Sequence, residues 1–326
     1  MTTDKPMLRI LVTGAAGFLG SSLVDFLLQK DHIVIGLDNL TTGSPANLRH
    51  LENHPGFTFV NQDICSLLDR HQEIDQIYNL ACPASPVQYQ RAPVSTLNTC
   101  FHGTQNLLEL AKNRNIRILH TSTSEVYGDP LTHPQPETYW GNVNPFGPRS
   151  CYDEGKRVAE ALCYAYREQY NLDIRIAHIF NTYGPRMSSQ DGRVISNFIV
   201  SALSGNALNI YGDGLATRSF QYVTDCLEGL YRLMNSGYDA GPVNIGNDKE
   251  FTIREAADLV IELVSEMTNK PRATVAFLPK PLDDPSVRRP QVSLAKRELG
   301  WEAVVPLRDG LRKTIQWHMD QQGSAK

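Results

Sequence analysis

The chain has 326 residues, 41% of them hydrophobic and 20% charged, with a formal net charge of −4 at pH 7. That balance excludes a disordered chain and fits a globular protein of one large or two modest domains. With no basic tract and no apolar run long enough to span a bilayer, the expected partners are small molecules, with no nucleic acid and no membrane involved.

Met1–Met7 precedes the first predicted strand and is too short for a signal sequence, which implies a cytoplasmic protein. Leu8–Thr13 is a short apolar run of high β-propensity, and Phe18–Gln29 has the apolar spacing of a helix. Between them lies Thr13-Gly-Ala-Ala-Gly-Phe-Leu-Gly20. On such a turn Gly14 permits the tight bend, Gly17 lets backbone amides approach a pyrophosphate, and Gly20 lets the helix pack closely on the sheet. A second strand, His32–Leu37, ends in Asp38, about 20 residues beyond the loop, where a ribose-binding acid is expected. Asp38 would repel a 2′-phosphate, so NAD is favoured over NADP. The alternative is an ordinary turn with Asp38 capping a loop.

Thr58–Asn61, Gln76–Leu80, Ile116–Thr121 and Ile174–Ile179 also read as strands, alternating with helices at Ser95–Lys112 and Tyr152–Tyr170. The alternation predicts an α/β fold, a doubly wound parallel sheet of Rossmann type. Beyond Asn181 the pattern turns irregular, with helices at Val194–Ser204, Val223–Asn235, Ile253–Met267 and Leu307–Gln321. This predicts a smaller, discontinuous substrate-binding cap over the carboxyl ends of the strands. Residues 1–182 and 220–250 are assigned to the NAD-binding part, and 183–219 and 251–326 to the cap. Pro279–Pro290 reads as an ordered connector whose arginines face a ligand. The cysteines (Cys65, Cys82, Cys100, Cys151, Cys163, Cys226) show no metal-ligand spacing, so a reducing compartment and no metal are expected.

Tyr152 and Lys156 stand four apart on one helix face, which would bring the ammonium near the phenol and favour the phenolate. Such a phenol accepts an alcohol proton while hydride leaves the same carbon.

Tyr-x-x-x-Lys by itself marks only a broad superfamily, and further segments narrow the reading: Leu80–Pro86, Thr121–Pro130, Tyr139–Pro145, Ser150–Arg157, Phe180–Met187, Asp191–Phe198 and Arg218–Val223. With them the chain resembles the extended short-chain dehydrogenase/reductase family and, within it, the UDP-glucuronic acid decarboxylases, or UDP-xylose synthases, from about Leu8 to Leu311. The resemblance implies oxidation of the sugar 4-hydroxyl, loss of carbon dioxide from the β-keto acid so formed, and hydride return to give UDP-xylose. By the same resemblance Tyr152 is the base, Lys156 holds the cofactor ribose, and Thr123 hydrogen-bonds the reacting oxygen. Ser124 stands where related 4,6-dehydratases carry an aspartate, and a serine supplies no comparably acidic proton for expelling water. Glu125 is implied to position the ring or to mediate protonation at carbon 5, a carboxylate satisfied by backbone amides being the alternative. Phe18, Leu19, Asn39, Thr42, Gly43, Asp63, Ile64, Leu80, Ala81 and Thr99 are implied to line the NAD site. Pro83, Tyr89, Asn181, Arg186, Arg193, Asn197, Tyr211, Arg218 and Arg288 are implied to take the UDP-sugar.

Three positions depart from the family pattern: Asn98 and His178 replace a usual lysine and arginine, and Gln291 a usual aspartate. Two of these changes remove a permanent positive charge, which puts the affinity for an acidic sugar in question. Rival readings are a UDP-glucuronate 4-epimerase, a decarboxylase that releases the 4-keto-pentose, and a non-enzymatic nucleotide sensor. The apolar surplus at Leu107, Leu108, Leu110, Leu162, Tyr164 and Tyr166 predicts a homodimer through a four-helix interface, as in the resembling family.

Overall fold

The computed structural model describes residues 6–66 and 73–324; residues 1–5 of the segment before the first strand lie outside them. The first half alternates strand and helix as the apolar pattern dictates: β1 (Arg9–Thr13), α1 (Phe18–Leu28), β2 (Ile33–Asp38), β3 (Phe57–Asn61) and β4 (Gln76–Asn79). After β4 come α2 (Pro86–Arg91), α3 (Pro93–Asn98), α4 (Thr104–Arg114), β5 (Arg117–Thr123), α5 (Ser150–Tyr170) and β6 (Ile174–Ile179). A seventh strand, Pro242–Ile245, completes one sheet in the order 242–245, β6, β5, β4, β1, β2, β3. Every pairing in it is parallel. A parallel sheet is covered on both faces, which is why β4 is buried throughout and β5 buried from its second residue on.

The predicted helix Ser95–Lys112 is three pieces. Between α3 and α4 the chain makes a π-helical turn, Thr99–Gly103, whose wider coil breaks the 3.6-residue period and packs on α5. In α5, residues 152, 156, 159, 163 and 166 are buried at helical spacing, and Asn171 ends the helix in the left-handed conformation. Leu107, Leu108 and Leu110 are not surplus surface: all three lie in the core between α4, α5 and the sheet. Each such leucine contributes about 1.5–3 kcal/mol of burial. The apolar side chains these helices leave exposed are Val94, Leu97, Tyr164 and Tyr170.

The remaining elements are α6 (Val194–Leu203), α7 (Val223–Met234), α8 (Ile253–Thr268), α9 (Ser293–Leu299) and α10 (Leu307–Ser324), joined by three two-stranded ladders. Helix α8 begins with a capping box between Thr252 and Glu255. Side chains of α6, α8 and α10 share one continuous core with α1 and α7 beneath the sheet, so the second half is packed onto the first without a break. Among the described residues no helix is long and apolar enough to cross a membrane.

Candidate active site

A cavity of about 890 Å³ opens at the carboxyl ends of the central strands. Its floor is the glycine loop. Gly14 has φ +69°, and a Cβ there would meet the Leu80 carbonyl at 2.9 Å; one on Gly20 would overlap the Gly14 carbonyl. Gly17 caps α1 without a side chain, leaving Phe18, Leu19 and Gly20 on the cavity wall. Asp38 lines the cavity while its two oxygens accept the amides of Ala16 (2.9 Å) and Leu40 (2.7 Å). It therefore ties down the loop as well as facing the space a ribose would occupy. Burial raises its pKa and those two amides oppose the rise. Asn39, Thr42, Asp63, Ile64, Leu80, Ala81 and Thr99 also line the cavity. Gly43 is the exception: it lies off the cavity wall, where a Cβ would meet Ala16 at 2.8 Å and Asp38 at 2.9 Å, so its part is to let two loops touch.

β5 delivers Thr123 and α5 delivers Tyr152 and Lys156 to the same wall. The Tyr152 ring is stacked on Tyr89, centroids 5.0 Å apart and planes within 4°. Thr123 hydrogen-bonds the phenol. The Lys156 ammonium stands by the Tyr152 ring while its hydrogen bond goes to the backbone. Lys156 donates to the Thr121 carbonyl at 2.8 Å and stands 6.0 Å from the Tyr152 ring centre. Burial, reinforced by Cys82, therefore pushes the Tyr152 phenol well above its ordinary pKa.

Glu125 corrects the sequence reading more sharply. Rather than being satisfied by backbone amides, its carboxylate is forked by Arg288 at 2.5 and 2.8 Å and held by Arg149 at 2.6 Å. Burial raises its pKa, but the two guanidiniums more than offset that and bring it down to about 2. At neutral pH it is an anion. Arg149 was missed in the sequence although it stands three residues before Tyr152, on the same side of the coming helix; it also faces Asp284 at 3.7 Å and Asp153 at 3.9 Å. A second cavity, about 580 Å³, shares Glu125, Arg149 and Asp284 with the first and takes in Asp153. Burial and the Glu125 charge push Asp153 up to about 8 against the pull of Arg149.

That raised value carries a stability prediction. Asp153 is neutral in the folded chain over a range where the unfolded chain ionises it, so its contribution is fully present below about pH 4 and is lost as pH rises through about 8. Asp153→Asn should leave the melting temperature near pH 4 little changed and raise it at pH 8. Thermal denaturation across that range checks this, and equal melting temperatures at pH 8 would remove the buried neutral acid.

At the other end of the cavity Arg193 pairs with Asp191, and Arg186 with Asp25 at 2.6 Å. Arg218 donates to the Pro285 carbonyl at 2.7 Å and to Asp284 at 3.1 Å. Each line of the wall is thus a guanidinium already oriented by a carboxylate, with Pro83, Asn181, Asn197 and Tyr211 beside them. In the connector Pro279–Pro290, Pro281, Leu282, Asp284 and Arg288 reach the cavity, but Arg289 does not: it packs against Gln135, which accepts its amide. None of the three departures lines the cavity. Asn98 is exposed at the end of α3, His178 is buried between Tyr127 and Glu160, and the Gln291 carbonyl takes Asn244. The lost positive charges therefore lie off the cavity wall. Among the described residues no group of three or more His, Cys, Asp or Glu could hold a metal ion.

Residues 11–314 match the family model described as GDP-mannose 4,6 dehydratase. The chain is 53% identical over 315 residues to UDP-glucuronic acid decarboxylase 1 of Danio rerio, covering 97% of this chain and 73% of that protein. It is 55% identical over 305 residues to UDP-glucuronic acid decarboxylase 6 of Arabidopsis thaliana, covering 93% and 87%. Among solved structures, UDP-glucuronic acid 4-epimerase from Bacillus cereus, in complex with UDP-glucuronic acid and NAD, superposes with a TM-score of 0.85 at 30% identity, over 96% of this chain and 100% of that one. Fold, site geometry and relatives agree: the chain belongs to the GDP-mannose 4,6 dehydratase family of extended short-chain dehydrogenases/reductases, beside the UDP-glucuronic acid decarboxylases.

Proposed function

We propose that this chain is an NAD-dependent UDP-glucuronate decarboxylase that forms UDP-xylose through a UDP-4-keto intermediate. The observation that carries the reading is one cavity holding Thr123, Tyr152 and Lys156 above a glycine loop, with Ser124 in place of an acid and an anionic Glu125 between two arginines. The residues present fit the cofactor: Gly14 and Gly20 leave a cradle that any Cβ would fill, and Asp38 faces it. Gly17, Phe18 and Leu19 would hold the pyrophosphate, Asp38 and Lys156 the riboses. When bound, NAD supplies a hydride acceptor that takes hydrogen from carbon 4 and gives it back to the pentose ketone.

Tyr152 takes the proton of the 4-hydroxyl, with Thr123 aligning that oxygen. Its raised pKa in the free protein means that the phenolate needs positive charge brought close, and Lys156 is the chain's own source. The ketone at carbon 4 makes the uronate a β-keto acid, so the electrons left by carbon dioxide delocalise into the carbonyl. Glu125, fixed as an anion, accepts hydrogen bonds from ring hydroxyls; the proton delivered to carbon 5 then comes from water. Arg193 and Arg218 serve the diphosphate, and Asn181, Asn197 and Tyr211 the nucleoside and sugar. The exposed Val94, Leu97 and Tyr164 support a homodimer through α3 and α5, and the reading places the protein in the cytoplasm.

The test is to incubate the protein with NAD and UDP-glucuronate in deuterated water and follow carbon dioxide and the sugar by NMR. UDP-xylose carrying deuterium at carbon 5 is the expected product. A product that keeps its carboxylate would move the reading to the 4-epimerase, and accumulation of the 4-keto-pentose to a releasing decarboxylase.

A further inference from the structure

Two cysteines meet at the cavity wall, Cys82 on it and Cys100 behind it. Cys82, in the loop after β4, lines the cavity; Cys100, in the π-helical turn, is 2% exposed. Their sulfurs are 3.4 Å apart and both are free thiols. Cys82 packs on the cluster of Tyr89, Cys151 and Tyr152. The Cys100 sulfur sits where a Cβ on Gly155 would come within 3.0 Å, one residue before Lys156. The Lys156 ammonium favours the thiolate at both positions; within the pair, the hydrogen bond from Cys82 pulls Cys100 down and holds Cys82 up.

We propose that Cys82 and Cys100 are an oxidisable dithiol site that takes a peroxide from the cavity and closes to a disulfide, shutting off cofactor binding. Cys82, the sulfur that faces the cavity, passes its proton to the Cys100 thiolate and attacks one peroxide oxygen; the O–O bond breaks, the leaving hydroxide takes a proton from solvent to become water, and Cys82 becomes a sulfenic acid. The Cys100 thiol then displaces that hydroxyl, forming the S–S bond and releasing a second water. The two sulfurs lose two electrons in all, and one peroxide becomes two waters. A disulfide spans about 2.05 Å, so the sulfurs must approach by more than an ångström. That draws the loop bearing Ala81 and Pro83 toward the turn packed on α5, and both are walls of the nucleotide cavity.

The experiment treats the whole protein with stoichiometric hydrogen peroxide, blocks remaining thiols, and maps the digest by mass spectrometry beside an NAD titration. The expected result is a peptide pair joined through Cys82 and Cys100, NAD affinity lower by about tenfold or more, and full recovery with dithiothreitol. Cys100→Ala, with Cys100→Ser as a second variant should alanine loosen the turn, should bind NAD as the untreated protein does and form no such pair. No cross-link, a cross-link through Cys151 instead, or unchanged NAD affinity in the cross-linked protein would overturn the proposal. The mapping needs no sugar substrate, so a protein that cross-links yet fails to turn over UDP-glucuronate counts against the proposed activity and not against the dithiol.

Discussion

Tyr152→Phe is expected to lower turnover by about 10²–10⁴-fold while NAD still binds. The ring stacked on Tyr89 is kept and the cavity wall keeps its shape, but the group that accepts the 4-hydroxyl proton is gone. Lys156→Ala should do more than lower turnover. It removes the donor to the Thr121 carbonyl as well as an ammonium 6.0 Å from the Tyr152 ring centre, so NAD affinity should fall too. A tryptophan-fluorescence titration with NAD, run beside a product assay, separates the two. Near-normal turnover in the phenylalanine variant would remove the proposed base.

Glu125→Gln should separate binding from chemistry. The amide keeps the shape but leaves Arg149 and Arg288 without their shared counter-charge, so the ring would be misplaced, and turnover should fall by about 10²-fold with UDP affinity nearly kept. Breaking a buried ion pair from one side costs about 3–5 kcal/mol, and the 15% exposure of the Glu125 side chain puts the expectation at the low end. The sign with pH follows from the depressed pKa. Glu125 contributes stability above its unfolded value of about 4.3 and loses it as pH falls through about 2. The gap between wild type and variant in urea denaturation should therefore be widest near neutrality and shrink below pH 4. A constant gap, or full UDP-xylose output from the variant, would defeat the assignment.

The parts of the fold that were legible in the sequence are those with one dominant local signal. The glycine loop is read from its spacing within a strand-to-helix turn, and the Tyr152–Lys156 face of α5 from its i, i+4 spacing. The strand Pro242–Ile245 was not: it is four residues long and starts with proline, which is tolerated because the strand lies at the sheet edge. The π-helical turn was hidden for a related reason, since one inserted residue shifts the phase of the apolar pattern and makes three pieces look like one helix. At the site, residue identities were readable but pairings were not. Nothing in the spacing of Glu125, Arg149 and Arg288 says that two guanidiniums share one carboxylate, because the contact spans 163 positions of chain. The same holds for His178 and Gln291, whose departures from the family pattern gain meaning only from the groups they touch.

The placing of Pro242–Ile245 against β6 also bears on how the molecule is made. Strands β1 to β6 leave the ribosome in an order that lets each find a neighbour among those already present, at roughly 5–20 residues per second. The far side of β6 cannot be closed until the chain has run on through α6 and α7 to residue 242. Over that interval the nascent protein shows a bare row of backbone amides and carbonyls, the kind of edge on which chains stick to one another. A ribosome stalled before Pro242 would release a product that is folded in its first half and still adhesive, which makes the late strand a point of vulnerability in synthesis.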